Sequence, residues 1–149
     1  MLSERLAEDL KGAMKAKDDV ALRTARMLRT ELRYREDEVR RPLKPEDEVA
    51  VVRTAIQRRR DAAGQFRAAG RVDLAVNEEA EAEFLNRYMP EQLDETAVEA
   101  LITTVLAETH AAGPRDFGRL MKVLMERVAG RADGGTVSRL LRQRLQAMA

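Results

Sequence analysis

Only four prolines, at positions 42, 45, 90 and 114, interrupt a chain in which apolar residues recur at three- and four-residue intervals almost throughout. That spacing puts side chains on one stripe of a helix, whereas a half-buried strand needs alternation with period two. No stretch alternates long enough to form one, and no Asn-Gly hairpin signal occurs, so the chain is expected to be all-α. Seven helices can be read between the breaks.

The first helix is expected to start with Ser3 as N-cap and to bury Leu6, Leu10, Ala13 and Met14. Asp18 or Asp19 should cap the second, in which Ala21, Ala25, Leu28, Leu32 and Val39 share one face while Arg26, Arg29, Arg33 and Arg40 cluster on its flank. Pro42-Leu43-Lys44-Pro45 breaks the pattern, and Pro45 suits the first turn of a third helix, followed by dipole-compatible acids at Glu46, Asp47 and Glu48. Val49, Val52, Ile56, Ala63 and Phe66 carry its apolar side, and Gly70 is a C-terminal stop. Asp73 should cap a fourth helix with Val76, Ala80, Phe84, Leu85 and Tyr88 inward and Glu78, Glu79, Glu81 and Glu83 outward.

Beyond Met89-Pro90, Asp94 reads as the cap of a fifth helix bearing Val98, Leu101, Ile102, Val105 and Leu106, which should run to Ala112-Gly113-Pro114. A sixth carries Phe117, Leu120, Met121, Leu124, Met125 and Val128 and should end near Gly130. Asp133 caps the last, with Val137, Leu140, Leu141 and Leu145. The expected architecture is an N-terminal antiparallel helical bundle over residues 1–92, followed by a small C-terminal three-helix domain over residues 93–149.

Composition narrows the chemistry. With no Trp, three Phe and two Tyr among 149 residues, the core must be aliphatic. There is no Cys, which excludes disulfides, thiolate metal sites and cysteine nucleophiles. The charged start, Met1-Leu2-Ser3-Glu4-Arg5, leads into no apolar run long enough for a signal peptide or membrane span, so a cytoplasmic protein without membrane association is expected. His110 is the single histidine, near a helix end, and Ser3 and Ser138 are the only serines, neither of them in a nucleophile turn. Gly130-Arg131-Ala132-Asp133-Gly134-Gly135 lacks the lysine and hydroxyl residue of a phosphate loop. Neighbouring acids such as Glu36-Asp37-Glu38 do not converge on one point. No catalytic residue, metal site or cofactor is therefore expected.

Charge is blocked rather than mixed. The net charge is +1, but Arg53–Arg71 holds six Arg against Asp61, Asp73–Glu95 holds eight acids against Arg87, and Arg115–Ala149 holds eight bases against three acids. Such blocks can pair with each other inside one protein. Alternatively, Arg23, Arg26, Arg29 and Arg33 on one helix, and Arg53, Arg58, Arg59, Arg60 and Arg67 on another, can bond phosphate oxygens with planar forks. Aromatic rings for stacking bases are scarce, so such a surface is expected to read the shape and backbone of folded RNA.

Tyr88-Met89-Pro90-Glu91-Gln92-Leu93-Asp94, Asp116-Phe117-Gly118-Arg119-Leu120-Met121 and Val128-Ala129-Gly130-Arg131-Ala132-Asp133-Gly134 together resemble the GatB/YqeY group, and specifically the YqeY family, along the whole chain. The motif residues Pro90, Gln92, Leu93, Gly118, Met121, Gly130, Ala132, Asp133 and Gly134 read first as architecture, because they end and restart helices. The resemblance implies a larger N-terminal and a small C-terminal helical domain. Its C-terminal part is similar to the tail domain of the B subunit of the glutamine-dependent tRNA amidotransferase, a tail that contacts tRNA, and Asp133-Gly134 matches the form found in freestanding members.

Three functions follow as expectations. The first is a non-catalytic tRNA-associated protein using Arg119, Lys122, Arg131, Arg139 and Arg142, with Arg26, Arg29 and Arg33 as a further basic set. The second is an interaction module docking on an amidotransferase subunit or another translation protein through the acidic stretch Asp73–Glu95. The third, the weakest, is carbon-nitrogen ligase activity with glutamine as donor, a label the family inherits from its larger relative.

Overall fold

In the computed structural model, which describes residues 2–148, apolar stripes have become seven α-helices among the described residues: α1 (Leu2–Ala16), α2 (Asp19–Val39), α3 (Pro45–Ala68), α4 (Val72–Asn86), α5 (Glu95–Thr109), α6 (Phe117–Val128) and α7 (Gly134–Ala147). No strand occurs among these residues, and a single 3₁₀ turn, Pro114–Asp116, precedes α6. The chain is all-α. It divides into two compact units, Met1–Met89 and Pro90–Ala149.

In the first unit α2 packs against α1, α3 and α4, and α3 and α4 lie along each other as a hairpin closed by Gly70, whose φ of 75° only a residue without Cβ adopts readily. Leu6, Leu28, Val52, Ala55 and Leu85 are at most 1% exposed at its centre. Asp18 caps α2 by accepting the Ala21 N–H at 3.1 Å, and Pro45 opens α3, both as the sequence indicates.

Five local readings differ from the structure, the first being Met14, which was expected on the buried stripe of α1 and is 59% exposed. Ser3 lies inside α1, which already includes Leu2, whose N–H donates to the Glu48 carboxylate of α3 at 3.2 Å. A partner across the bundle thus satisfies a first-turn donor that no local cap needs to serve. Asp73 lies in the first turn of α4 rather than at its cap, and is bonded to the Arg71 guanidinium. On α4, Val76 is 50% exposed and Ala80 is exposed too, while Ala75, Glu81, Ala82, Phe84 and Leu85 face inward. The helix is rotated because Glu81 turns toward the bundle to meet two arginines. Finally, α5 stops at Thr109, since His110 adopts a left-handed φ of 52° and its N–H bonds back to Leu106. The Asp116 carboxylate then accepts the Ala112 N–H at 2.8 Å and leads the chain into the 3₁₀ turn.

The second unit packs α5, α6 and α7 against each other around Ile102, Val105, Leu120, Leu124, Val137 and Leu141, all fully buried. Asp94 and Asp133 cap α5 and α7 through the N–H groups of Ala97 and Thr136. Its two motif segments, far apart in sequence, meet. The Leu93 N–H donates to the Arg131 carbonyl at 2.7 Å, and the Gln92 side-chain amide donates to the Pro90 and Gly130 carbonyls. Ala129 and Gly130, at φ 50° and 80°, turn the chain out of α6, and Ala132 is buried beside the core. Met121 packs partly against that core, Gly118 has open space around its Cα, and a Cβ at Gly134 would lie 3.7 Å from the Met125 methyl.

Candidate nucleic-acid interface

Helix α2 buries the face of Ala21, Ala25, Leu28 and Leu32, and the 100° step per residue then leaves Arg26, Arg29 and Arg33 together on the flank. All three are exposed, and none of their guanidinium groups has an ion-pair or hydrogen-bond partner among the described residues. Arg29 and Arg33 line a recess of about 270 Å³ floored by Leu6, Leu32 and Leu43. Glu48 lies in the same recess, and burial raises its pKa against the opposing pull of the Leu2 N–H. Glu36, exposed on α2, lines the recess as well, and neither carboxylate is within ion-pair distance of Arg29 or Arg33.

The other arginines of this unit divide sharply. Arg59 is 6% exposed, not a surface fork: its Nε donates to Glu81 Oε2 at 3.2 Å and its Nη1 to the Ala55 carbonyl at 2.9 Å. Arg23 reaches the other oxygen of Glu81 at 2.8 Å. Arg67 holds Glu79 through two bonds, of 2.6 and 2.9 Å, which keep the Glu79 carboxyl below the usual carboxylate range. The basic and acidic blocks thus neutralise each other along the α3–α4 hairpin. Arg58 and Arg60 stay exposed, with no side-chain partner among the described residues.

In the second unit most of the anticipated cations are engaged. Arg119 donates to Asp116 at 2.8 Å, and this bond, followed by the Ala112 N–H, lowers the Asp116 pKa. Arg131 bonds the carbonyls of Val128 and Arg127 at the end of α6, both at 3.1 Å. Arg139 pairs with Glu95, and the Arg142 guanidinium lies 4.8 Å over the Phe117 ring. Lys122 is exposed with no side-chain partner among the described residues. Exposed pairs of this kind contribute only about 0–1 kcal/mol, so a phosphate can displace the acid, but it must compete with it.

Sequence reasoning placed Glu81 outside and did not single out Tyr34 or Asp9. Tyr34 falls on α2 opposite the buried stripe and is 70% exposed, a position the helical wheel does mark. Asp9 accepts the Tyr88 hydroxyl at 2.5 Å, while Arg5 stacks on the Tyr88 ring and donates to the Arg87 carbonyl. Burial first, and the Asp9 carboxylate second, push the Tyr88 phenol well above its ordinary range. This cluster ties α1 to the end of α4, beside an open surface groove lined by Glu4, Arg5, Glu8, Asp9 and Arg87. Among the described residues, no three His, Asp or Glu side chains are grouped to hold a metal, and no helix is long and apolar enough to cross a membrane. His110 is exposed at the end of α5.

Comparison with known proteins covers nearly the same span as these elements. The profile of a family described as "Yqey-like protein" matches residues 3–145. The chain is also similar to "Altered inheritance of mitochondria protein 41, mitochondrial" of Pyrenophora tritici-repentis, at 29% identity over 143 residues, covering 93% of this chain and 78% of that protein.

Proposed function

The chain belongs to the Yqey-like family, and from that premise we propose that it is a non-catalytic, tRNA-associated cytoplasmic protein, a freestanding counterpart of an amidotransferase tail, that meets the tRNA backbone through arginine-bearing helices. The observation that carries this reading is the flank of α2. Arg26, Arg29 and Arg33 remain exposed and without a counter-ion among the described residues, although acids elsewhere in the unit engage Arg23, Arg59 and Arg67. From Arg26 to Arg33 the flank covers about 10 Å of helix axis, roughly the advance of three phosphates along one strand. The second unit adds Lys122, with Arg119, Arg131, Arg139 and Arg142 available by exchange of their present partners.

Titration of the intact protein with total tRNA and with an arbitrary RNA duplex at low salt tests the reading. The triple variant Arg26→Gln, Arg29→Gln, Arg33→Gln should bind tRNA at least about tenfold more weakly and flatten the plot of log affinity against log salt by about two units. Equal affinity for tRNA and duplex, or indifference both to this variant and to neutralising the second-unit set, would overturn it.

A second reading has one observation in its favour. Val72 and Val76 of α4 are 52% and 50% exposed beside Glu83, an apolar and acidic strip suited to docking on a translation protein. A stoichiometric protein partner that survives nuclease treatment and is lost on Val76→Asp would favour it. Neither the family description nor the relative's name states a reaction, and amide formation from glutamine by this chain alone should be undetectable.

A further inference from the structure

The aromatic rings of this protein are almost all occupied. Phe84 and Tyr88 are buried edge to face, with ring centres 5.8 Å apart, and each carries an arginine on its ring. Phe117 is half-buried under Arg142, and Phe66 is half-buried on α3. Tyr34 is the exposed one: at 70% exposure its ring has no aromatic, cationic or hydrogen-bonding partner among the described residues. It stands at the mouth of an open groove of about 490 Å³ between α2 and α3, whose lining includes Val51, Thr54, Arg58 and Glu31.

We propose that Tyr34 is a stacking platform for one unpaired RNA base, received in the α2–α3 groove while an adjoining phosphate meets Arg58 on its α3 side. The proposal rests on the RNA-binding reading and locates its single-stranded contact. Every base has a π face, so stacking on tyrosine needs no particular sequence. The charges assign base and backbone to different places. Glu31 and Glu38 line the groove, and Glu38 is already bonded to Arg35 at 2.8 Å. A phosphate inside would meet the Glu31 carboxylate, whereas a neutral base would not, and its exocyclic amino group can donate to that carboxylate. Arg58, on the α3 side of the groove and without a side-chain partner among the described residues, supplies a cation for the adjoining phosphate. The expectation that scarce aromatics limit the protein to reading folded shape is thereby narrowed to one ring.

The chain carries its own reporter, because it has two tyrosines and no tryptophan. Tyr88 is buried and bonded to Asp9, which makes it an internal reference. The test titrates the intact protein with single-stranded oligoadenylate, and with a blunt RNA duplex for comparison, following tyrosine emission corrected for base absorption. Oligoadenylate should quench the emission and the duplex should not. Tyr34→Phe should keep the affinity within about twofold, whereas Tyr34→Ala should lower it about fivefold to a hundredfold and leave only unresponsive Tyr88 emission. Circular dichroism of both variants should match the wild type, since the side chain lies outside the core. If oligoadenylate binds but neither emission nor affinity depends on Tyr34, the platform is wrong and the phosphate reading stands. If neither oligoadenylate nor tRNA binds, both fall. If Tyr34→Ala leaves RNA affinity intact and instead abolishes a nuclease-resistant protein association, the ring belongs to a protein interface and the proposal is overturned.

Discussion

The two units handle arginine in opposite ways. The first buries a charge: Glu81, 8% exposed, is shared between Arg59 inside the bundle and Arg23 at its edge, yet the neighbouring flank of α2 stays uncompensated. Among its described residues the second unit buries only aliphatic side chains and settles most of its arginines at the surface, on Asp116, Glu95, Glu108, a phenylalanine ring and helix-end carbonyls. Local net charge is therefore a poor guide to availability. The strongly basic C-terminal block is mostly partnered, whereas three unpaired arginines share one flank of α2, a helix with as many acids as arginines.

The contrast is broken most directly at Glu81. Glu81→Gln leaves Arg59 charged and buried with its counter-ion gone, and should cost about 3–5 kcal/mol of first-unit stability, read by denaturant unfolding. A loss below about 1 kcal/mol would mean that the pair is solvated like those of the second unit. Asp133→Ala removes the cap of α7 and loosens the turn that joins the two motif segments, for about 1 kcal/mol. Hydrogen exchange should place that loss at α7 and the Leu93 amide, and uniform loss across both units would contradict it. Glu95→Gln breaks the exposed pair with Arg139 and should change stability by no more than about 1 kcal/mol. The informative result is RNA affinity, which should rise as Arg139 is released; unchanged affinity would remove Arg139 from the interface.

The smallest effect compares one aspartate in each unit. Asp47, bonded first to Arg41 at 2.6 Å and then to the Lys44 N–H, and Asp116, bonded first to Arg119, both have folded pKa values below the ordinary one. Their stabilisation is present above the unfolded aspartate value, about 4, and is lost as pH falls through the lower folded values. Glu48 has the opposite sign: burial raises it, so the cost of keeping it charged disappears as pH falls through its folded value. Carboxyl titration by NMR should show Asp47 and Asp116 protonating after, and Glu48 before, an exposed residue of the same type. The reverse order would refute the assigned partners.

Much of the fold was legible along the chain. Asp18, Asp94 and Asp133 cap helices, Pro45 opens one, and the apolar spacing recovers the buried faces of α2, α5, α6 and α7. Two of the misreadings fall where a distant partner decides. Leu2 extends α1 past Ser3 because Glu48 waits on α3, and Val76 and Ala80 face solvent because Glu81 faces two arginines. Of the candidate site, the wheel shows that Arg26, Arg29 and Arg33 share a flank, but not that they lack counter-ions.

Helix positions, their caps and the aliphatic character of the core were settled by residues within a turn or two of one another, since capping and periodic burial are local relations between neighbours. Which charges are neutralised, which side of α4 faces inward and which aromatic ring stays free were settled only when the helices packed. The buried network at their centre joins groups 22 and 58 residues apart along the chain, as Arg59 and Arg23 are from Glu81, and a pair costs or contributes according to the water left around it.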